Sequence, residues 1–161
     1  MHVYRIEREK YLSTTLSGIG ASAKGNRWNS INTKLVYTAE SRALAILEVA
    51  VHLDLSEDLP ADRHFVEIRI PDDLLIQEVK LADLPPGWNL KPPSQLTQII
   101  GDDFVQQGGA AVLKVPSSII PQEANYLINP NHPDAKRIVV TGTSSLVFDS
   151  RLSTKKSKPG I

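Results

Sequence analysis

Three side chains stand out as candidates for chemistry: a glutamate in an apolar helix, an arginine after a glycine-rich loop, and a tyrosine in a strand. Glu48 lies in ALAILEVAVHL, residues 43–53. Apolar residues point in every direction around that helix, which predicts a buried one. Leu44, Ala45, Val51 and His52 share its face. A lone carboxylate there is desolvated at a cost of several kcal/mol unless it finds a partner. A structural pair with an arginine, or a helix whose glutamate face is open, would satisfy it equally. Arg27 sits in GNRWN. A guanidinium beside an aromatic suits forked recognition of a pyrophosphate; an ordinary surface arginine beside a core Trp28 fits the same residues. Tyr37, in LVYT, reads as a core or sheet-surface tyrosine, or as a ring facing a pocket where it could stack on a nicotinamide or adenine. Ser117 and Ser118 follow Pro116 at a strand end, where turn chemistry accounts for them. No Ser-His-Asp ordering supports a serine nucleophile.

Other chemistries are narrowed by composition. The 161 residues contain no cysteine, which removes disulfides, thiol catalysis and thiolate zinc sites. The four histidines lack metal-ligand spacing such as HExxH. His52 reads as a helix-end residue, His132 as part of a turn, and no metal site is expected. Lys plus Arg and Asp plus Glu each number 18, so direct nucleic-acid binding is not expected, though a local basic pocket remains compatible. The N-terminus lacks a signal-peptide apolar run, and no window approaches the ~20 apolar residues of a membrane span. The expected location is the cytoplasm, with no membrane association.

These residues need a scaffold, and the length suits one domain. Strands are expected at residues 3–6, 35–38, 64–70, 112–115, 138–140 and 146–148. Residues 13–26 read as a loop and 125–134 as a turn-rich segment. Ser41 can cap a helix running to about Leu53. Ser94 can cap another through Gln107, with Leu96, Ile99, Ile100, Phe104 and Val105 on one face and Gly108 and Gly109 at its end. Residues 83–93, with four prolines, form an irregular connection. Residues 153–161 carry no pattern and read as a mobile tail. Strands and helices mix without regular alternation, so the fold class is α+β in a single compact domain. Neither a GxGxxG nor a P-loop is present.

Several segments together resemble the RES family, named for an arginine, a glutamate and a serine that its members share. They are VYRI, GNRWNS, LVYTAESRALAILEV, IGDDFVQQGGAAVLKVPSSIIPQEANYLINPNHPD and FDSRL, in the family's order over most of residues 3–152. The resemblance implies a RES domain over 1–152 with a fold similar to ADP-ribosyltransferases. It implies a bacterial toxin paired with an Xre-type helix-turn-helix antitoxin. It implies NAD⁺ as substrate, degraded by phosphorolysis or hydrolysis, with ADP-ribosylation of a macromolecule as the alternative; a non-catalytic binding module is the competing class. No cofactor is implied, and phosphate is a candidate co-substrate. Arg27, Tyr37 and Glu48 match the family's motifs as catalytic residues. Ser117 matches its serine, with Ser118 the less favoured choice, and would help seat the ribose or a phosphate. Asn125 and Asn129, both in NYLINP, would line the pocket. Arg5 joins Ser117 and Asn125 as a candidate phosphate site, against the reading of an exposed charge on an edge strand. Ile31-Asn32 stands where many relatives have a turn glycine. Oligomeric state stays open, a homodimer included.

Overall fold

A computed structural model describes residues 1–154 of the protein. Seven strands form one sheet in the order β4-β5-β6-β2-β1-β3-β7. They are β1 (His2–Arg8), β2 (Val36–Ala39), β3 (Arg63–Arg69), β4 (Ile76–Glu78), β5 (Val112–Pro116), β6 (Ala124–Ile128) and β7 (Val139–Leu146). Every neighbouring pair is antiparallel except β4 with β5. Among the described residues three α-helices accompany them: α1 (Ile19–Lys24), α2 (Arg42–Ala50) and α3 (Gln95–Gln107). The α+β single domain expected from the sequence is the one observed. Among the described residues no helix is long and apolar enough to cross a membrane.

The sheet is well knit except at its centre. β1 pairs with β3 along its whole length, from His2↔Arg69 to Arg8↔Arg63. β1 and β2 share the single pair Tyr4↔Ala39 and then diverge. Alternation along the strands places side chains on both faces. Val3, Val36, Val66, Ile68, Val112 and Ile128 build one core. Leu113, Val115 and Leu127 build the other, with Trp28, Trp88 and Phe104. A smaller cluster of Ala39, Leu44 and Ala45, joined by Tyr4 and Ile6, seats α2 over β1 and β2.

The caps act as their residue types dictate. Ser41 Oγ accepts from the Leu44 N–H at 3.1 Å, and Ser94 Oγ from the Leu96 N–H at 3.2 Å. Gly108 closes α3 in the left-handed conformation at φ 59. Several boundaries differ from the sequence expectation. α2 stops at Ala50, and residues 51–53 form a turn. The buried face of α3 is Thr97, Gly101 and Phe104, whereas Leu96 and Ile99 are exposed, because its approach to Trp28 is set by backbone proximity and not by side-chain volume. α1 lies inside the segment expected to be loop; it has six residues and no side-chain cap, so nothing local announces it. β6 was hidden by the Asn- and Pro-rich turn that follows it. The two short strands expected near the end are one, β7, whose Gly142 lies at a register shift opposite Glu67. Arg5 is not on an edge strand, since β1 lies between β2 and β3. Asn32 takes the positive φ of 74 that a turn glycine would supply, a conformation asparagine tolerates. Of the tail read as mobile, Ser153 and Thr154 both hydrogen-bond to the Leu55 carbonyl, and 155–161 lie outside the described residues.

Among the glycines of the described residues, Gly101 has the closest neighbour. A Cβ there would lie 1.6 Å from the Trp28 carbonyl oxygen. Gly101→Ala therefore has to push α3 off the segment bearing Arg27. We expect a loss of about 3 kcal/mol or more in urea unfolding. Gly20→Ala, where a Cβ meets nothing within 4 Å, is expected to be neutral or stabilising by up to ~1 kcal/mol. Equal unfolding midpoints for the two variants would contradict the packing argument.

Candidate active site

Where β1 and β2 part, a cavity of about 1150 Å³ opens. Its walls come from β1, β2, α1, the 25–28 turn, the α2 face bearing Glu48, and the Lys91–Pro93 stretch. Arg5, Arg27, Tyr37, Glu48 and Asn125 all line it, so five of the expected site residues come together from distant parts of the chain. Ser118 lines it as well; Ser117 and Asn129 do not.

Arg27 is held by its turn. Asn26 and Asn29 form an isolated antiparallel bridge on either side of Arg27 and Trp28. The Asn29 amide is fully buried and donates to the carbonyls of Ala21, Ser30 and Thr33, each at 3.0 Å. Its Oδ1 accepts from the Tyr37 hydroxyl at 2.6 Å, and that hydroxyl accepts from the Trp28 N–H at 3.1 Å. α3 clamps the same turn from outside. Gln98 Nε2 donates to the Asn26 carbonyl at 3.0 Å, and Asp102 accepts from the Ser30 N–H and hydroxyl at 3.0 and 2.5 Å. Trp28 itself is a core residue, tilted against Trp88 with ring centroids 6.0 Å apart.

From this base Arg27 Nη1 donates to the carbonyls of Trp88 and Leu90 at 2.9 and 3.1 Å. Its Nε and Nη2 donors have no hydrogen-bond partner among the described residues, and they belong to a side chain on the cavity wall. Burial pulls the Arg27 guanidinium below its ordinary range, and the nearby Glu48 carboxylate opposes that. It stays a cation at neutral pH. No ion pair joins Arg27 to Glu48 among the described residues, so the reading of the two as a structural pair is not what the geometry contains.

Glu48 differs from its expectation in one respect. α2 is half-buried, with Arg42 and Ala43 exposed, and Glu48 is itself only partly buried because its face is the cavity wall. The carboxylate is oriented by Ser117, whose hydroxyl donates to Glu48 Oε1 at 3.0 Å. Ser117 is fully buried at the end of β5. Its Oγ also accepts from the N–H groups of Ile119 and Ile120 at 3.1 and 3.2 Å. With two backbone donors pointing at the oxygen, its one hydrogen goes to the carboxylate. Ser117 thus stands behind Glu48 and cannot seat a ribose or a phosphate directly. Asn129 is likewise buried away from the cavity, its Oδ1 accepting from the Asn131 N–H.

Tyr37 offers its ring to the cavity, but its hydroxyl is engaged by Asn29 and Trp28. Burial, the larger effect, raises that hydroxyl well above its ordinary pKa, opposed by the Trp28 N–H, so it remains a neutral donor. Asn125 Nδ2 donates to the Thr38 carbonyl at 3.2 Å. The lining carries five cations, Arg5, Arg8, Lys24, Arg27 and Lys91, against Glu7 and Glu48. A chain of zero net charge therefore holds a basic cavity. Among the described residues no cluster of three or more His, Cys, Asp or Glu could hold a metal ion. Sequence reasoning missed Asn29, Asp102, Glu7 and the cavity lysines. Asn29 and Asp102 stood inside the quoted motifs, GNRWNS and IGDDF, but nothing in their spacing said that they meet.

Fold and site together define a class: a mixed α+β domain whose sheet splits to enclose a basic cavity with one oriented carboxylate. The RES domain model matches residues 2–149, and the chain belongs to the RES-domain family. It is 44% identical over 147 residues to a protein of Sphingobium sp. named Prs ADP-ribosylating toxin, covering 90% of this chain and 91% of that one. It is 38% identical over 138 residues to Toxin Res of Pseudomonas putida, covering 85% and 92%. The solved Mycobacterium tuberculosis MbcT–MbcA toxin–antitoxin complex contains a chain that superposes with a TM-score of 0.73 at 15% identity, covering 90% of this chain and 83% of that one. The two chains accordingly share one fold, that of the RES domain.

The double use of the Tyr37 hydroxyl makes Tyr37→Phe informative. The ring stays in the cavity, but Asn29 Oδ1 and the Trp28 N–H lose their partner. We expect a loss of about 1–3 kcal/mol in chemical unfolding, with faster amide exchange at Trp28. Unchanged stability and exchange would show that the hydroxyl does not anchor the Arg27 turn.

Proposed function

We propose that this RES-domain protein is the toxin of a toxin–antitoxin pair and acts by breaking the nicotinamide–ribose bond of NAD⁺. The observation that carries the reading is the presence, on the walls of one cavity, of a carboxylate oriented by a buried hydroxyl and an arginine with unused forked donors. A dinucleotide has matching parts: a pyrophosphate for Arg27 and a ribose that gains positive charge for Glu48. When the C–N bond breaks, its electron pair goes to the ring nitrogen and nicotinamide leaves neutral, so no metal is called for. The ribose carbon takes on oxocarbenium character, which a fixed carboxylate stabilises. Because Glu48 is already held by Ser117, itself fixed by the Ile119 and Ile120 amides, little reorganisation accompanies the charge development. The ring of Tyr37 is a stacking surface for the nicotinamide end.

The acceptor then bonds to the ribose carbon and releases its proton. Inorganic phosphate is our preferred acceptor, giving ADP-ribose 1″-phosphate; water would give ADP-ribose. The excess of cations along the walls supports an anionic acceptor beside an anionic substrate. Transfer of ADP-ribose to a macromolecule is a second reading, favoured by the name of the 44% identical relative. The non-catalytic binding module is disfavoured, since Arg27 and Glu48 form no pair. The toxin–antitoxin reading draws on the relatives named Toxin Res and on the complex that contains the structural neighbour. An Xre-type helix-turn-helix antitoxin in the same cytoplasm is the partner we propose.

Two measurements test this. Glu48→Gln is expected to fold and to release nicotinamide from NAD⁺ some 10²–10³-fold more slowly, roughly 2.7–4 kcal/mol of charge stabilisation. Near-normal turnover by the folded variant would end the catalytic assignment. Adding phosphate stepwise to phosphate-free wild-type enzyme is expected to raise the rate to a plateau, with ADP-ribose 1″-phosphate seen by ³¹P NMR. A flat rate with ADP-ribose alone would make water the acceptor, and a modified macromolecule would favour the transferase.

A further inference from the structure

The split between β1 and β2 contains a buried ion pair with no role in the chemistry above. Arg5 and Glu7 are two apart in β1, which places them on one side of the strand. The Glu7 side chain is 11% exposed and that of Arg5 24%. Glu7 Oε2 accepts from Arg5 Nε at 3.1 Å, from Arg5 Nη2 at 2.6 Å and from the Thr15 hydroxyl at 3.3 Å. Glu7 Oε1 accepts from the Arg8 N–H at 3.1 Å. The carboxylate is thus engaged through both oxygens and has one place to be.

Arg5 makes one more contact. Its Nη1 donates to the Tyr37 carbonyl at 3.2 Å, reaching across the strands just beyond their single shared pair. That carbonyl lies where a continuing β1–β2 ladder would have supplied a backbone donor. A guanidinium has five N–H donors, and three are accounted for by Glu7 and Tyr37. The two that remain, one on each Nη, belong to a side chain on the cavity wall. Without Glu7 the same arginine would be free to turn toward solvent, since a long cationic side chain adopts many rotamers.

We infer that Glu7 is a positioning residue: it locks Arg5 across the open β1–β2 split so that Arg5 presents its two spare donors to a phosphoryl oxyanion in the cavity. The inference rests on the NAD⁺ reading for its substrate class. The oxyanion is either the pyrophosphate of the dinucleotide or a free phosphate. Arg5 is the group that touches it, and Glu7 acts only through Arg5.

The test uses calorimetry with ADP-ribose and, separately, inorganic phosphate on the full chain. Two variants are compared with wild type: Glu7→Gln, and the double variant Arg5→Met/Glu7→Met, which leaves no unpaired charge in the split and guards against misfolding of the first. Both are expected to bind one of the probes about tenfold more weakly, and to the same extent as each other. Loss confined to ADP-ribose assigns Arg5 to the pyrophosphate; loss confined to phosphate assigns it to the acceptor. The inference is overturned if Glu7→Gln binds both probes as wild type does. It is also overturned if the double variant is clearly weaker than Glu7→Gln, since Arg5 would then act without Glu7. Wild-type protein that consumes NAD⁺ but binds neither probe overturns the inference alone. Protein that neither consumes NAD⁺ nor binds ADP-ribose overturns the underlying reading.

Discussion

Two adjacent strands that share one cross-strand pair are the constraint on which this molecule depends. A sheet that opens at its centre must find other partners for the backbone groups it releases, because buried amides and carbonyls are not left unpaired. Here a side chain supplies one: Arg5 donates to the Tyr37 carbonyl. That side chain also lines the space that the opening creates. The same feature therefore makes the cavity, puts polar groups on its walls, and leaves α2 bridging its top with Glu48 facing in.

Glu48 and Arg27 are each supported by a residue that does not line the cavity. Glu48 rests on Ser117, and Ser117 on two backbone amides. Arg27 rests on Asn29, which is tied to three carbonyls and to Tyr37. That turn is pinned by α3, whose Gly101 permits a backbone approach no other residue would allow. Donors and charges held this way need not reorganise when a substrate reacts, which is the condition under which electrostatic stabilisation is most effective. Arg27, Glu48 and Ser117 are thus unequal in kind: two line the cavity, and the third orients one of them.

How much of this could be read from the sequence depended on whether the signal was local. The caps at Ser41 and Ser94, and the glycine that ends α3, are local, and each acts as its residue type dictates. Arg27, Tyr37 and Glu48 could be placed by motif order, and they do meet in space. What could not be read was set by distant parts of the chain. α1 has no cap or apolar stripe, and β6 is flanked by turn residues, so only tertiary packing defines them. The helix around Glu48 reads as buried because its apolar residues have no direction; the cavity beside it, which leaves Glu48 half-exposed, has no sequence signature. Zero net charge averaged away the basic walls. Ser117 could be picked as a type but not as a hydroxyl turned from the substrate.

On the proposed function, the split cavity seats NAD⁺ with its two ends apportioned between Arg27 and Glu48. A crystal structure of Glu48→Gln with NAD⁺, a variant expected to bind without turning over, tests it directly. The pyrophosphate is expected on the free Nε and Nη2 donors of Arg27 and the nicotinamide ribose beside residue 48, with the nicotinamide against the Tyr37 ring. NAD⁺ bound elsewhere, or bound in the split with its pyrophosphate away from Arg27, would contradict it.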